Sequence, residues 1–361
     1  MATKADKPVL LIGGIRGASP EEIFRICSEE LGDLPVGFPD GEFNERKLWV
    51  LFVPIRVWEF HPDLETIRRP NGVPGMPHYI PTGYDDLYKY RVRPGIDHID
   101  VPTTTYPIEA RASYLVFRNL RDKGVIPKDA RFQVSLPFPE DAARLFTTTA
   151  RDAEIMANGY AEAVLRDVME MLRDIPADDL VLQWDINWET LAIEVDDCAG
   201  VDPLQFKCNG DPRERYINFI RQLCAPIPEE VVLGLHLCYG DLHHRHFIEP
   251  KDLSICVEMS NAAIKEAGRR IDFLHFPVPR SRNDDEYFKP LENLKSGDTT
   301  LYIGLVHYTD GVEGTRARVA TFRKHFDGVF GVAAECGMGR RPLDQDLNRL
   351  LAIHREVAKA L

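Results

Sequence analysis

Residues 231–240 read VVLGLHLCYG. Apolar side chains occupy nearly every position before the run closes on Gly240 and Asp241, the pattern of a short strand buried on both faces. Strand side chains alternate between faces, so His236 and Cys238, two residues apart, point to the same side. An imidazole and a thiolate so placed can share one metal ion, and soft sulfur with imidazole selects zinc over hard cations. Taken alone, the pair reads equally well as a core histidine beside a core cysteine.

Similar runs recur outward from this one: PVLLIGG (8–14), ARFQVSLPFP (130–139), DLVLQWDIN (179–187), RIDFLHFPVP (270–279), TTLYIGLVHYTDG (299–311) and GVFGVAAECG (328–337). Helical stretches separate them, expected at residues 151–174, 212–223, 260–269 and 315–326. Another helix is expected to start at Ser19-Pro20-Glu21-Glu22, with a serine cap, a first-turn proline and a glutamate at the third position. Strand alternating with helix predicts a parallel sheet. Seven or eight such units predict an α/β protein built as a single TIM (β/α)8 barrel spanning residues 1–361. The stretch from about 52 to 105, rich in Pro, Gly, Tyr and Arg, is expected to be a long insertion serving as a lid or interface arm. A doubly wound open sheet is the alternative architecture, but GGIRGAS (13–19) lacks the G-x-G-x-x-G spacing.

The chain has 361 residues, 44% of them hydrophobic and 28% charged, with a formal net charge of −13. An acidic surface offers no field to draw nucleic acid or an anionic membrane. No apolar run approaches the roughly 20 residues of a membrane span, and MATKADKPVLLIGG lacks a signal-peptide pattern, so a cytoplasmic location is expected. The seven cysteines are an odd number, widely spread and without a CxxC, unlike a disulfide framework. Nothing in the sequence opposes a homo-oligomer.

Polar residues gather where strands should end: Glu42, Asp185, His236, Cys238, Glu258, His307 and Cys336. In a barrel the C-terminal strand ends carry the chemistry. One nitrogen, two thiolates and one carboxylate (His236, Cys238, Cys336 and Glu258) would make an open zinc site. Alone, Glu258 reads as a surface or capping residue and Cys336 as a buried thiol. Glu42 and Asp185 would orient a substrate or act as bases, or else form structural ion pairs with arginines such as Arg16 or Arg46. His307 is a proton carrier in one reading, a hydrogen-bonded core histidine in the other. Trp188, near Asp185, would add an aromatic wall to a substrate pocket. His243, His244 and His246 read as a solvated loop or as support for the ligands.

In this order the residues resemble the catalytic barrel of the cobalamin-independent methionine synthase family. That family's zinc ligands are a His-x-Cys, a glutamate about two dozen residues on and a late cysteine. His236, Cys238, Glu258 (22 residues after His236) and Cys336, in ECGMGRR, fit that pattern. The resemblance implies that Glu42, in GEFNER, and Asp185, in QWD, contact an amino-acid substrate. It also implies that His307 shuttles protons. The family's N-terminal Ile-Gly-Ser is Ile12-Gly13-Gly14 here. The implied activity is zinc-dependent methyl transfer to a small, homocysteine-like thiol. The donor is open among a folate, a methyl-corrinoid protein and a methylated small molecule, because the full-length synthase has two barrels and this chain has room for one. Two alternatives stand beside it: a zinc-dependent alkyltransferase or lyase that makes or breaks a thioether, as in epoxide opening, and a non-catalytic zinc-binding barrel.

Overall fold

The computed structural model describes residues 5–71, 86–194, 209–240, 246–342 and 344–361. Its strands are β1 (Phe38–Pro39), β2 (Leu64–Arg68), β3 (Lys89–Val92), β4 (Phe132–Pro137), β5 (Leu180–Ile186), β6 (Val232–Leu237), β7 (Phe273–Pro277), β8 (Thr300–Val306) and β9 (Phe330–Ala334). Seven of them form one sheet in the order β1-β4-β5-β6-β7-β8-β9, parallel at every pairing. The sheet curls on itself. Val9 makes parallel bridges both to Pro35, beside β1, and to Val332 on β9. Strands β2 and β3 pair apart as an antiparallel ribbon.

Helices separate the sheet strands, as the alternating pattern predicts. The main ones are α1 (Pro20–Leu31), α2 (Tyr106–Asp122), α3 (Pro139–Ala143), α4 (Ala150–Asp174), α5 (Trp188–Glu194), α6 (Pro212–Cys224), α7 (Ser254–Glu266), α8 (Asp285–Phe288), α9 (Gly311–Phe322) and α10 (Leu347–Ala358). The start of α1 follows its sequence signature, since the Ser19 hydroxyl accepts from the Glu22 amide at 3.3 Å. Helix α7 departs from expectation. It begins six residues before Ser260, so Glu258 lies on a helix and not at a strand end. Its burial explains this: Cys256, Val257, Met259, Ser260 and Ala263 face the core, a helical spacing hidden inside the segment CVEMSN.

Two apolar groups hold the sheet. One fills the space between strands and helices. The other, with Leu10, Ile12, Val181, Val232, Phe273 and Tyr302, lies along the concave side. Alternation then orders each strand from floor to rim. On β6 the concave column runs Val232, Gly234, His236, with Cys238 next beyond the strand end. On β5 it runs Val181, Gln183, Asp185, in register with the first three. Gly234 is required here, since a Cβ would stand 2.0 Å from the Phe273 ring that fills the floor. Apolar residues close the N-terminal end and polar ones stand at the C-terminal end, the distribution expected of a barrel interior.

The described part of the 52–105 insertion comprises short helical turns, the β2–β3 ribbon and the approach to α2. Phe52 and Tyr106, at its two ends, meet edge to face with centroids 5.6 Å apart. Residues 72–85 of that segment lie outside the described residues, as do His243, His244, Cys198 and Cys208. No helix among the described residues is long and apolar enough to cross a membrane.

Candidate metal centre and adjoining pockets

His236 comes from β6, Cys238 from the residue just beyond it, and Cys336 from the turn after β9. Their ligand atoms all lie within 4.8 Å of one another. The Cys238 and Cys336 sulfurs are 3.4 Å apart. The Cys336 sulfur is 3.7 Å from His236 Nε2. A tetrahedral zinc with Zn–S about 2.3 Å and Zn–N about 2.05 Å needs S···S near 3.8 Å and N···S near 3.6 Å. The three donors fit that ion in type and spacing. His236 and Cys238 are buried at 2% and 7% exposure, and Cys336 is half-buried. Burial, the neighbouring His275 and Arg340 all hold the His236 pKa well below its ordinary value. Its imidazole is therefore neutral, as a ligand must be.

Glu258 does not join them. It stands on the outer side of α7, about half exposed, with Arg213 Nε donating to it at 2.5 Å. The residue that does stand beside His236 is His275, its register partner on β7. The two Nδ1 atoms are 2.7 Å apart, and His275 Nε2 lies 3.0 Å from the Ala334 carbonyl. Burial lowers the His275 pKa to about 3. The sequence signal was present, since DFLHFP is one of the strand runs and its histidine falls on the concave alternation.

Glu42 and Asp185 reach the same place as the metal cluster. A cavity of about 30 Å³ is lined by Glu42, Asp185, His236, Cys238 and Cys336, among others. Asp185 is buried, with Gln183 Nε2 donating to it at 2.7 Å and Trp49 Nε1 at 3.2 Å. Burial raises its pKa to about 7, although the hydrogen bonds from Gln183 and Trp49 and the charge of Arg340 oppose the shift. Arg340 Nη1 donates to Glu42 at 3.0 Å. Gly14 makes this approach possible, because a Cβ there would meet Glu42 Oε1 at 2.7 Å. A serine at position 14, as in the family's Ile-Gly-Ser, would collide with the carboxylate as it now stands.

Trp188 does not line this cavity. Its ring packs against Phe247 at 5.5 Å, and its amide donates to Asp141 at 2.8 Å. The tryptophan at the pocket is Trp49. It lies in the turn Asn44–Phe52 with a left-handed backbone, φ 49°. Neither Trp49 nor Arg340 sits on a strand or in a periodic helix, so the sequence pattern gave no cue to either.

His307 lies on the other side of Cys336. There a cavity of about 500 Å³ is lined by His246, Arg280, His307, Glu335 and Cys336, among others. Cys336 thus borders both spaces. His307 Nε2 donates to the Val278 carbonyl at 2.9 Å, and Nδ1 is 3.8 Å from Glu335. Burial lowers its pKa against the raising influence of Glu335. His246 sits between Glu249 and Glu335 at 3.2 and 3.0 Å. Burial opposes its charge, but hydrogen bonds to both carboxylates prevail and hold its pKa near 10. It is a charged support beside the site, not part of a solvated loop.

No protein-family model matches the chain, and no curated protein matches it. Among solved structures, the chain is similar to a B12-independent methionine synthase from Shewanella sp. W3-18-1, determined in complex with selenomethionine. The two share 12% identity and a TM-score of 0.60, with 98% of each chain covered. A GH18 chitinase from Pseudoalteromonas aurantia matches at 10% identity and a TM-score of 0.32, covering 71% of this chain and 69% of that one, too remote to inform the fold. The first likeness shows a shared α/β fold over the whole chain.

Proposed function

We propose that this protein is a zinc-dependent methyltransferase acting on a small, homocysteine-like thiol. One observation carries the reading: three side chains able to hold a metal line the same cavity as Glu42 and Asp185. A purely structural metal would not need two buried carboxylates and an arginine beside it. A zinc held by His236, Cys238 and Cys336 would leave a position open for substrate sulfur and favour its thiolate form at neutral pH. The fold shared with the Shewanella enzyme agrees with this chemistry.

The chain's own groups would do the rest. Asp185, ionised, takes the ammonium of an amino-acid thiol, and Arg340, steadied by Glu42, takes its carboxylate. The space of about 30 Å³ holds about one water, so it would have to widen to admit such a substrate. The larger cavity beyond Cys336 would receive the methyl donor, a folate, a methyl-corrinoid protein or a methylated small molecule. His307, with its Nε2–H fixed on Val278, presents Nδ1 for the thiol proton. The 52–105 insertion, with Phe52 at its start and Tyr106 just beyond its end lining an adjoining pocket, is read as a lid or an interface arm. Val9, bridging both edges of the sheet, supports one closed eight-unit barrel over residues 1–361. A cytoplasmic location is part of the same reading.

Elemental analysis with X-ray absorption of the purified protein tests it. About one zinc per chain with two sulfur scatterers is the expected result. Cys336→Ser should lose most of that zinc and all thiol methylation while staying folded. Zinc retained in full by the variant would sink the ligand assignment.

A further inference from the structure

The contact between His236 and His275 contains more information than its distance. Among the described residues, the polar contacts of the two rings are with each other, the Ala334 carbonyl and the Cys336 sulfur. None of these is a carboxylate, and both rings are buried, at 2% and 0% exposure. Burial and the charge of Arg340 beside His236 disfavour a cation, so both imidazoles are neutral and each carries one ring proton.

The placement of those protons follows by elimination. A backbone carbonyl only accepts, so His275 Nε2, at 3.0 Å from Ala334 O, is its N–H. His275 Nδ1 is then a lone pair. The 2.7 Å contact between the two Nδ1 atoms therefore takes its proton from His236. His236 Nε2 is left as the lone pair, and it is the atom 3.7 Å from the Cys336 sulfur. The order is a single chain: Ala334 C=O accepts from His275, and His275 accepts from His236. The far nitrogen of His236 is thereby freed toward the thiols.

We infer that His275 is the positioning residue of the metal centre: it fixes His236 in the Nδ1–H tautomer and aims Nε2 at the ion. Metal-bound histidines are usually held through the second nitrogen by a carboxylate, a carbonyl or water. Here a neutral histidine relays a backbone carbonyl instead. This role rests on the metal-centre reading proposed above.

Nitrogen NMR of the metal-free protein, with ¹⁵N-labelled histidine, tests the tautomers without any metal. The expected spectrum has His236 protonated at Nδ1 and His275 at Nε2; His236 protonated at Nε2 would overturn the inference. Zinc affinity by chelator competition tests the role. His275→Phe should weaken zinc by about 10- to 100-fold. His275→Asn, whose side-chain oxygen falls near the lost Nδ1, should recover most of that. Equal affinity in wild type and His275→Phe would overturn the role, as would two imidazoles around zinc in the X-ray absorption of the wild type. If the wild-type protein takes up no zinc, the metal-centre reading fails, while the tautomers remain decided by the metal-free spectrum.

Discussion

Asp185→Asn isolates the energetic cost of keeping a carboxyl buried beside the small cavity. Burial lifts the Asp185 pKa from 3.8 to about 7, so the folded state prefers the protonated acid. The stability this proton confers is complete below pH 3.8 and is lost as pH rises through 7. With those two values, wild type loses about 2.6 kcal/mol between about pH 5 and about pH 8, most of it below pH 7. Asparagine keeps one acceptor for the Gln183 and Trp49 donors and has nothing to titrate. It therefore carries a pH-independent offset of about 1–2 kcal/mol for the imperfect hydrogen bond. Urea unfolding of metal-free wild type and variant across that range reads the difference directly. The wild type should lose ground steadily from pH 5 to 7 and level off near 8. Other buried acids, such as Glu189, lifted to about 8 by burial and the Glu140 charge, cancel in the comparison. A stability difference that stays flat with pH would refute the placement of Asp185 in a dry, weakly compensated site.

Two further predictions concern Glu258 and His307. Glu258→Gln removes only the half-exposed pair with Arg213, so stability should change by less than about 0.5 kcal/mol with zinc content unchanged. Loss of zinc would restore Glu258 as a ligand. His307→Ala should retain zinc but slow methyl transfer by about 10²–10⁴-fold, and unchanged turnover would end its role as proton carrier.

The parts of this architecture that are periodic could be read from the chain alone. Apolar runs of strand length, separated by helical stretches, gave the parallel sheet. The two-residue spacing of His236 and Cys238 placed them on one face. Cys336, Glu42 and Asp185 stand out as polar residues where strands or loops end, and only the family resemblance puts Glu42 and Asp185 against one substrate. What escaped depends on contacts between distant segments. Glu258 had the right residue type and a plausible spacing, but the helix Ser254–Glu266 begins early enough to carry it outward. His275 lies on a strand run, but a lone apolar-flanked histidine reads as core. Trp49 and Arg340 are delivered by irregular turns, whose paths are set by what they pack against and not by a repeat. The clearance at Gly14 is visible only once Glu42 is in place beside it.

The column Val232, Gly234, His236, Cys238 ties chemistry to pairing on β6. A slip of one residue would turn His236 and Cys238 toward the helices and drive leucines into the polar rim. The same slip would present a side chain to the Phe273 ring, where there is room for none. If the proposed metal centre forms, metal uptake would gauge folding fidelity, because a chain that collapses with β6 in the wrong register can bury its apolar residues yet cannot assemble the donor set.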